Sequence, residues 1–466
     1  MARSEIYFGH PDASISVDEE LAAQHVFRDI ENRLKWDKRD SGIQVVVGIK
    51  GSGKTDLRRY MESRGNPYKF NLDGEHAYLA QDVSDIEETS GRIKNAIAAL
   101  LLQEFAHRVG DSSKSNAAKA LAKAFEASTS VLKRIPNAVD LQVPGVTVRL
   151  GELVRPDATP ILQGAVDQLI TDVVKALSGS GRHGAILIDD VEDVFPGIDH
   201  NPLFLEGVVR AIAEINNRGR NNLHALLFVK HGLWRAWFET QKEYDKVSHV
   251  IDFLTWDHES LVNLIAKRIA RRHEIDDHGH FDAEELWAKE FTWGDERLDD
   301  FAHYCTQYCS SGPRDMIKLC NLAGVEAGSD LIGRSHIEAI LGGYSDEKVN
   351  GLNSDFGDTY PGVNGFVTHV FHGAPARMTG NDLAQLINER ALLVPDVHRQ
   401  YRDKRWYAYA TKEGLAKTMY QVGVVGFESP SGVTYAIEKP NISTADLLSK
   451  NVVCVHPAFR PNLSII

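Results

Sequence analysis

Eight residues of this 466-residue chain, Gly48-Ile-Lys-Gly-Ser-Gly-Lys-Thr55, combine backbone freedom, a cation and a hydroxyl at a spacing that suits a polyphosphate. They fit the pattern G-x-x-x-x-G-K-[ST], with the strand-like "GIQVVV" before it and the helix-like "DLRRYMES" after it. Glycines let consecutive backbone N–H groups turn inward on an anion, and the helix that follows adds its positive end. The side chain of Lys54 would reach the β- and γ-phosphates, and the Thr55 hydroxyl would hold Mg2+. The nucleotide-contacting set is therefore expected to be Gly48, Lys50, Gly51, Ser52, Gly53, Lys54, Thr55 and Asp56. A tight turn without a ligand is the plainer alternative, and the flanking strand and helix weigh against it.

A phosphate loop needs a second carboxylate-bearing strand before it can hydrolyse anything. "GAILIDDVEDVF" supplies one: a continuous apolar run, as in a strand buried on both faces of a parallel sheet, ends in Asp189 and Asp190. Ligands of open α/β sheets bind at the carboxyl ends of the strands, which sets these acids beside the loop. Asp189 is expected to complete the Mg2+ shell with Thr55, and Asp190 to polarise an attacking water. Glu192 and Asp193 read better as a solvated acidic loop. Another buried-strand candidate, Leu223 to Val229, ends in Lys230 and His231, a charge and a donor where phosphate charge would develop. Surface placement of either is the competing reading.

Elements must carry these groups into register. "YKFNLD" and "HVIDFLTW" read as further strands, "ILQGAVDQLITDVVKAL" and "FLEGVVRAIAEINNR" as helices with one apolar face. Between loop and acidic strand lies more chain than one βα unit needs. It includes a helix-like "RIKNAIAALLLQEFAHRV", an exposed helix-like "SSKSNAAKALAKAFEAS" and a hairpin signal in "VDLQVPGVTVRLG". From Trp256 the pattern turns helical: Asp257 reads as the N-cap of "DHESLVNLIAKRIARRH", and "GPRDMIKLCNLAGVEA" starts a helix after a Gly–Pro break. Farther on, "GNDLAQLINERAL" and "GLAKTMYQVGVVGFESPSGVTYAIEKPN" give helix, helix, then two strands about Ser429–Gly432, the order of a winged helix. Arg399, Arg402, Lys404 and Arg405 interleave there with Tyr401, Trp406 and Tyr407, a mixture that can track a nucleic-acid backbone. A solvated charged face or a protein-docking module is the stronger reading.

Composition bounds the rest. With 43% hydrophobic and 25% charged residues the chain reads as soluble and globular, and its length calls for several domains. A net charge of −13 speaks against a protein that coats nucleic acid everywhere, leaving room for a local basic patch. No apolar run matches a bilayer span and the opening lacks a secretory core, so a cytoplasmic location is expected. Four cysteines make no disulfide framework. Cys305 and Cys309 share a helix face with only His303 nearby, which favours packing over zinc.

Taken together, "IYFGHPDA" and "DEEL", "VVVGIKGSGKTDL", "ILIDDVE", "LTWDHESLVNLIAKRI", "GPRDMIKLCNLA" and "VHPAFRPNL" resemble bacterial P-loop ATPases on the AAA+/STAND border. The resemblance implies an α/β core with a parallel sheet of the ASCE strand order, followed by a helical lid and a winged-helix C-terminal domain. On this chain that gives a lead-in at 1–40, a core at 41–255 with an insertion about 111–160, a lid at 256–331 and a winged-helix-like tail at 332–466. It implies ATP with Mg2+ as cofactors. It also makes Lys230 the candidate γ-phosphate sensor and Arg314 the lid arginine that reaches the γ-phosphate; an Arg314–Asp315 surface cluster is the alternative. Asp190 stands where many AAA+ enzymes carry glutamate, which implies slow turnover, and Arg235 is a candidate arginine finger. The implied protein is an ATP-driven conformational switch, homo-oligomeric or acting through a separate effector, as in prophage and anti-phage defence settings. The alternative is a DNA-binding loader or initiator that uses the winged helix, and a nucleotide-bound scaffold without turnover is a third reading.

Overall fold

The computed structural model describes residues 7–11, 25–26, 44–63, 68–72, 98, 167, 170–175, 177–178, 183–189, 191, 202–219, 222–238, 250–275, 282–310, 312–357, 359–430, 432–439 and 442–465. Expectations for the insertion about 111–160, for the helix-like segment ending at Val109, and for Asp190, Glu192 and Asp193 fall outside these residues. By contact the chain divides into two compact units: one takes Phe27–Gly48 and Lys54–Leu254, the other Met1–Val26, Ile49–Gly53 and Thr255–Ile466.

The first unit is built on five strands: β1 (Val45–Gly48), β2 (Tyr68–Leu72), β3 (Gly184–Ile188), β4 (Leu223–Lys230) and β5 (Ile251–Phe253). All pair in parallel, in the order β2-β3-β4-β1-β5. Branched side chains stiff at χ1 suit a pleated strand buried on both faces, and Val45, Val46 and Val47 are fully buried, as are Ile186, Leu187 and Ile188. Helix α1 (Lys54–Ser63) follows the loop after β1 and turns Leu57 and Met61, one turn apart, into an apolar cluster with Val46, Leu187 and Phe228. Helix α2 (Pro202–Gly219) opens on proline, whose missing N–H would be an orphan there anyway. Its Leu205, Val208, Val209, Ile212 and Ile215 are buried. Asn216 then fixes the helix to β4, donating from Nδ2 to Ala225 O at 2.9 Å and accepting from Ala225 N at 2.6 Å. Helix α3 (His231–Phe238) follows β4 directly.

β4 stands between β1, which leads into the glycine loop, and β3, which Asp189 follows, as the ASCE resemblance implies. In register, Gly48 lies opposite Lys230 and Ile188 opposite Leu227, so the chemically interesting ends of the strands share one edge of the sheet.

The second unit is mostly helical. Helix α4 (His258–Arg272) is capped by Asp257, whose carboxylate accepts from Ser260 N at 2.7 Å, and it buries Leu261, Leu264, Ile265 and Ile269. Helices α5 (Ala283–Trp287) and α6 (Leu298–Thr306) precede α7 (Pro313–Ala327). Before α7, Gly312 has φ +83, and a Cβ there would sit 2.9 Å from Trp256 Cδ1, so this break requires glycine. Phe8 packs in the same apolar cluster as α4, α6 and α7. Its N–H donates to Asn321 Oδ1 at 2.7 Å and its carbonyl accepts from Arg268 Nη1 at 2.7 Å. Cys305 and Cys320 are buried in this cluster too. Burial pushes the Cys305 thiol up to about 12 and that of Cys309 well above its usual value.

Helix α8 (Arg334–Phe356) lends Ile337 and Tyr344 to that cluster, and Val349 and Leu352 to a second one. The second cluster gathers α9 (Val363–Phe371), α10 (Gly380–Ile387), α11 (Pro395–Tyr401), α12 (Arg405–Ala408), α13 (Lys412–Gln421) and α14 (Thr444–Leu448) around a four-stranded sheet. Its strands β6 (Arg377–Met378), β7 (Val425–Ser429), β8 (Gly432–Thr434) and β9 (Val453–Val455) run antiparallel in the order β6-β9-β7-β8. Ser429 pairs with Gly432 at the turn of the expected hairpin.

Candidate functional site

In the sheet-bearing unit, Thr55 and Asp189, 134 residues apart in sequence, meet: the Thr55 hydroxyl donates to Asp189 Oδ2 at 3.0 Å. Asp189 as a whole is 1% exposed. Lys54 is also buried, and its Nζ donates to Gly48 O at 3.0 Å. Asp56 lies in the first turn of α1. One turn beyond Thr55, Arg58 donates from Nε to the same Oδ2 at 3.2 Å. Sequence reading did not single Arg58 out, although its i+3 spacing from Thr55 on an amphipathic helix was visible. A hydroxyl and a carboxylate are hard oxygen donors, the set that Mg2+ takes when phosphates and waters complete its octahedron. The residues present fit that ion.

Lys230 closes β4 opposite Gly48. His231 opens α3 and is 3% exposed, and its Nε2 has no hydrogen-bond partner among the described residues. Burial holds its imidazole down to about 4, with the charges of Arg235 and Lys54 adding to the effect. It is therefore neutral at pH 7. Arg235 lies in the last turn of α3.

In the other unit, the loop residues Gly51 and Gly53 take φ +84 and +89, a region that favours glycine. Ser52 N donates to Ile49 O at 3.2 Å, and Trp256 Nε1 donates to Ser52 O at 2.7 Å. The Ser52 hydroxyl is buried without a hydrogen-bond partner among the described residues. Arg314 covers Gly51: its N–H lies 3.4 Å from Gly51 O, and a Cβ on Gly51 would meet Arg314 Cβ at 3.0 Å and Cδ at 3.1 Å. The alternative of an Arg314–Asp315 surface cluster does not hold, because Asp315 is 4% exposed. Instead, its carboxylate takes Lys348 Nζ at 2.9 and 3.0 Å and the Ser310 hydroxyl at 3.1 Å. Lys50, a member of the expected loop set, places its Nζ 2.5 Å from Ser354 Oγ and 3.4 Å from Asp355 Oδ1 at the end of α8. Neither partner carries a sequence signal.

The basic and aromatic stretch of the tail separates into two sets. Tyr401 and Tyr407 are each 1% exposed and pack against Phe366, so they offer no stacking face. Lys404 and Trp406 both donate to Pro361 O, at 3.0 and 3.2 Å. Arg399, Arg402 and Arg405 face solvent. Arg399 lies 3.5 Å from Asp396, and Arg402 lies 3.6 Å from Asp403. Helical periodicity turns Tyr401 and Tyr407 inward and leaves Arg399, Arg402 and Arg405 outside, an arrangement that agrees with the solvated charged face preferred from sequence.

Among the described residues, no helix is long and apolar enough to cross a membrane. No family model and no curated protein matches the chain. Among solved structures it is similar to the Walker-type ATPase PABY2304 of Pyrococcus abyssi, with 13% identity, 98% of each chain covered and a TM-score of 0.41. It is also similar to the Aeropyrum pernix ORC2 protein in ADPNP–ADP complexes, with 13% identity, 96% of this chain and 94% of that one covered, and a TM-score of 0.30. At such scores the fold rests on the strand order and register given above.

Proposed function

We propose that this chain is an Mg2+-dependent ATP-binding and ATP-hydrolysing conformational switch. The observation that carries the reading is the Thr55–Asp189 hydrogen bond at 3.0 Å, made at the carboxyl ends of β1 and β3 with β4 between them. In this reading the loop amides and Lys54 take the β- and γ-phosphates, Thr55 and Asp189 hold Mg2+, and Asp190 polarises the water. Lys230 stabilises the charge that develops on the transferred phosphoryl group. Arg314, resting on Gly51, reports whether the loop is filled, and its neighbour Asp315 carries the report into α8 through Lys348. The tail, acting as a winged-helix module, then changes its contacts with a further copy or an effector protein, with defence as the setting. The test is single-turnover hydrolysis: Asp190→Asn should slow the chemical step by about 10²-fold or more with ATP affinity retained. Equal measurable rates would remove Asp190 from the chemical step, and no hydrolysis by either protein would reduce the chain to a nucleotide-bound scaffold.

A second reading, a DNA-binding loader or initiator, draws on the solvent-facing Arg399, Arg402 and Arg405. Duplex affinity that falls steeply with salt, and falls again in Arg402→Ala with Arg405→Ala, would favour it.

A further inference from the structure

Asp189 Oδ2 serves two donors at once, the Thr55 hydroxyl at 3.0 Å and Arg58 Nε at 3.2 Å. The acid is almost wholly enclosed and the guanidinium largely so, their side chains being 2% and 14% exposed. A carboxylate oxygen has two lone pairs, and these two donors engage both. A divalent cation coordinated by that oxygen needs one of them, and one coordinated by Oδ1 still meets a permanent positive charge beside the same carboxylate. Thr55 can serve both arrangements by turning its hydroxyl hydrogen away. Arg58 cannot, because a guanidinium has donors and no acceptor.

We infer that Arg58 is a positioning residue that competes with a divalent cation for the Asp189 carboxylate and so sets the cation concentration at which the site loads. The inference rests on the reading of Thr55 and Asp189 as the cation-holding pair. Without a cation, Arg58 keeps a buried carboxylate paired and in place. With one, the ion pair loosens and the like charge opposes loading. The same residue thus steadies the cation-free state and weakens cation binding, two effects of opposite sign. A residue that merely packs would show neither the second effect nor its dependence on charge.

The experiment uses the full chain, Mn2+ as the spin probe and a non-hydrolysable ATP analogue. Bound Mn2+ is read by electron paramagnetic resonance, and thermal midpoints are taken in EDTA and at saturating Mn2+ with analogue. Removing the charge in Arg58→Gln should tighten Mn2+ by about tenfold, the scale of one like charge at partly buried range. Arg58→Lys, which keeps the charge, should stay within about threefold of wild type by the same Coulomb reasoning. In EDTA the Gln variant should melt below wild type, and saturating Mn2+ with analogue should narrow the gap. Arg58→Met serves as the neutral variant if Arg58→Gln does not fold. Mn2+ affinity unchanged or weakened in the neutral variant, with wild type binding normally, overturns the role of Arg58 alone. Wild type that binds no Mn2+ with the analogue overturns the cation-site reading and this inference together.

Discussion

Thr55, Arg58 and Asp189 form one hydrogen-bonded group in which each substitution has its own signature. Asp189→Asn keeps an oxygen for Thr55 but removes the charge that a cation needs. Affinity for Mg2+·ATP, measured by titration calorimetry at limiting Mg2+, should fall at least tenfold, or about 1.4 kcal/mol. Gly51→Val introduces a branched side chain at φ +84 against Arg314, and should cost about 1–2 kcal/mol in a urea melt from the backbone conformation alone. The Thr55–Asp189 meeting was legible because a motif marks one end and an apolar run ending in acids marks the other. Arg58, Ser354 and the Ser52 hydroxyl, which has no hydrogen-bond partner among the described residues, were not, since their surroundings come from which side chains the folded chain brings together. Lys50 shows the limit most clearly: nothing in the motif says where the side chain of this loop residue goes, and the structure turns its ammonium to the end of α8.

At the scale of elements, caps and strands followed local rules and were readable, as with Asp257 before α4 and the valines of β1. Helix α8 was harder to read, because Gly342, Gly343 and Gly351 lower its intrinsic propensity while burial of Ile337, Tyr344, Val349 and Leu352 outweighs the loss. Helix α8 is held to α7 by the enclosed Asp315–Lys348 pair. Asp315→Asn leaves the Lys348 ammonium without its counter-charge and should destabilise the protein by about 3–5 kcal/mol in chemical denaturation. His456 lies near the same pair. Lys348, Asp315 and Arg460 supply the charges around it, and the Tyr435 ring lies 4.6 Å away. Burial first, then Lys348, holds its imidazole down to about 3, so the folded state releases a proton that the unfolded chain retains near 6.5. Its contribution is therefore fully present above about pH 6.5 and is lost as pH falls toward 3; His231 acts in the same direction, between about 6.5 and 4. Between pH 7 and pH 5 each buried histidine accounts for about 2 kcal/mol of lost stability, so the urea midpoint of His456→Gln should move less over that interval than that of wild type.

For the whole molecule, the strand order matched the family resemblance because it is a property of the sheet, whereas the basic-aromatic stretch left two readings open because sequence adjacency says nothing about which side of α11 and α12 a ring occupies. A net charge of −13 with three outward arginines on one stretch gives any duplex contact a strong salt dependence, which separates the loader from the switch. Both readings, and the scaffold as well, need the loop to hold a nucleotide. Equilibrium dialysis of ATP with Mg2+ against wild type and Lys54→Ala tests that need directly. The expected result is binding by wild type and a loss of about a hundredfold or more in the variant, the scale of a desolvated charge-assisted contact removed. ATP affinity equal in the two proteins would contradict the account at its base.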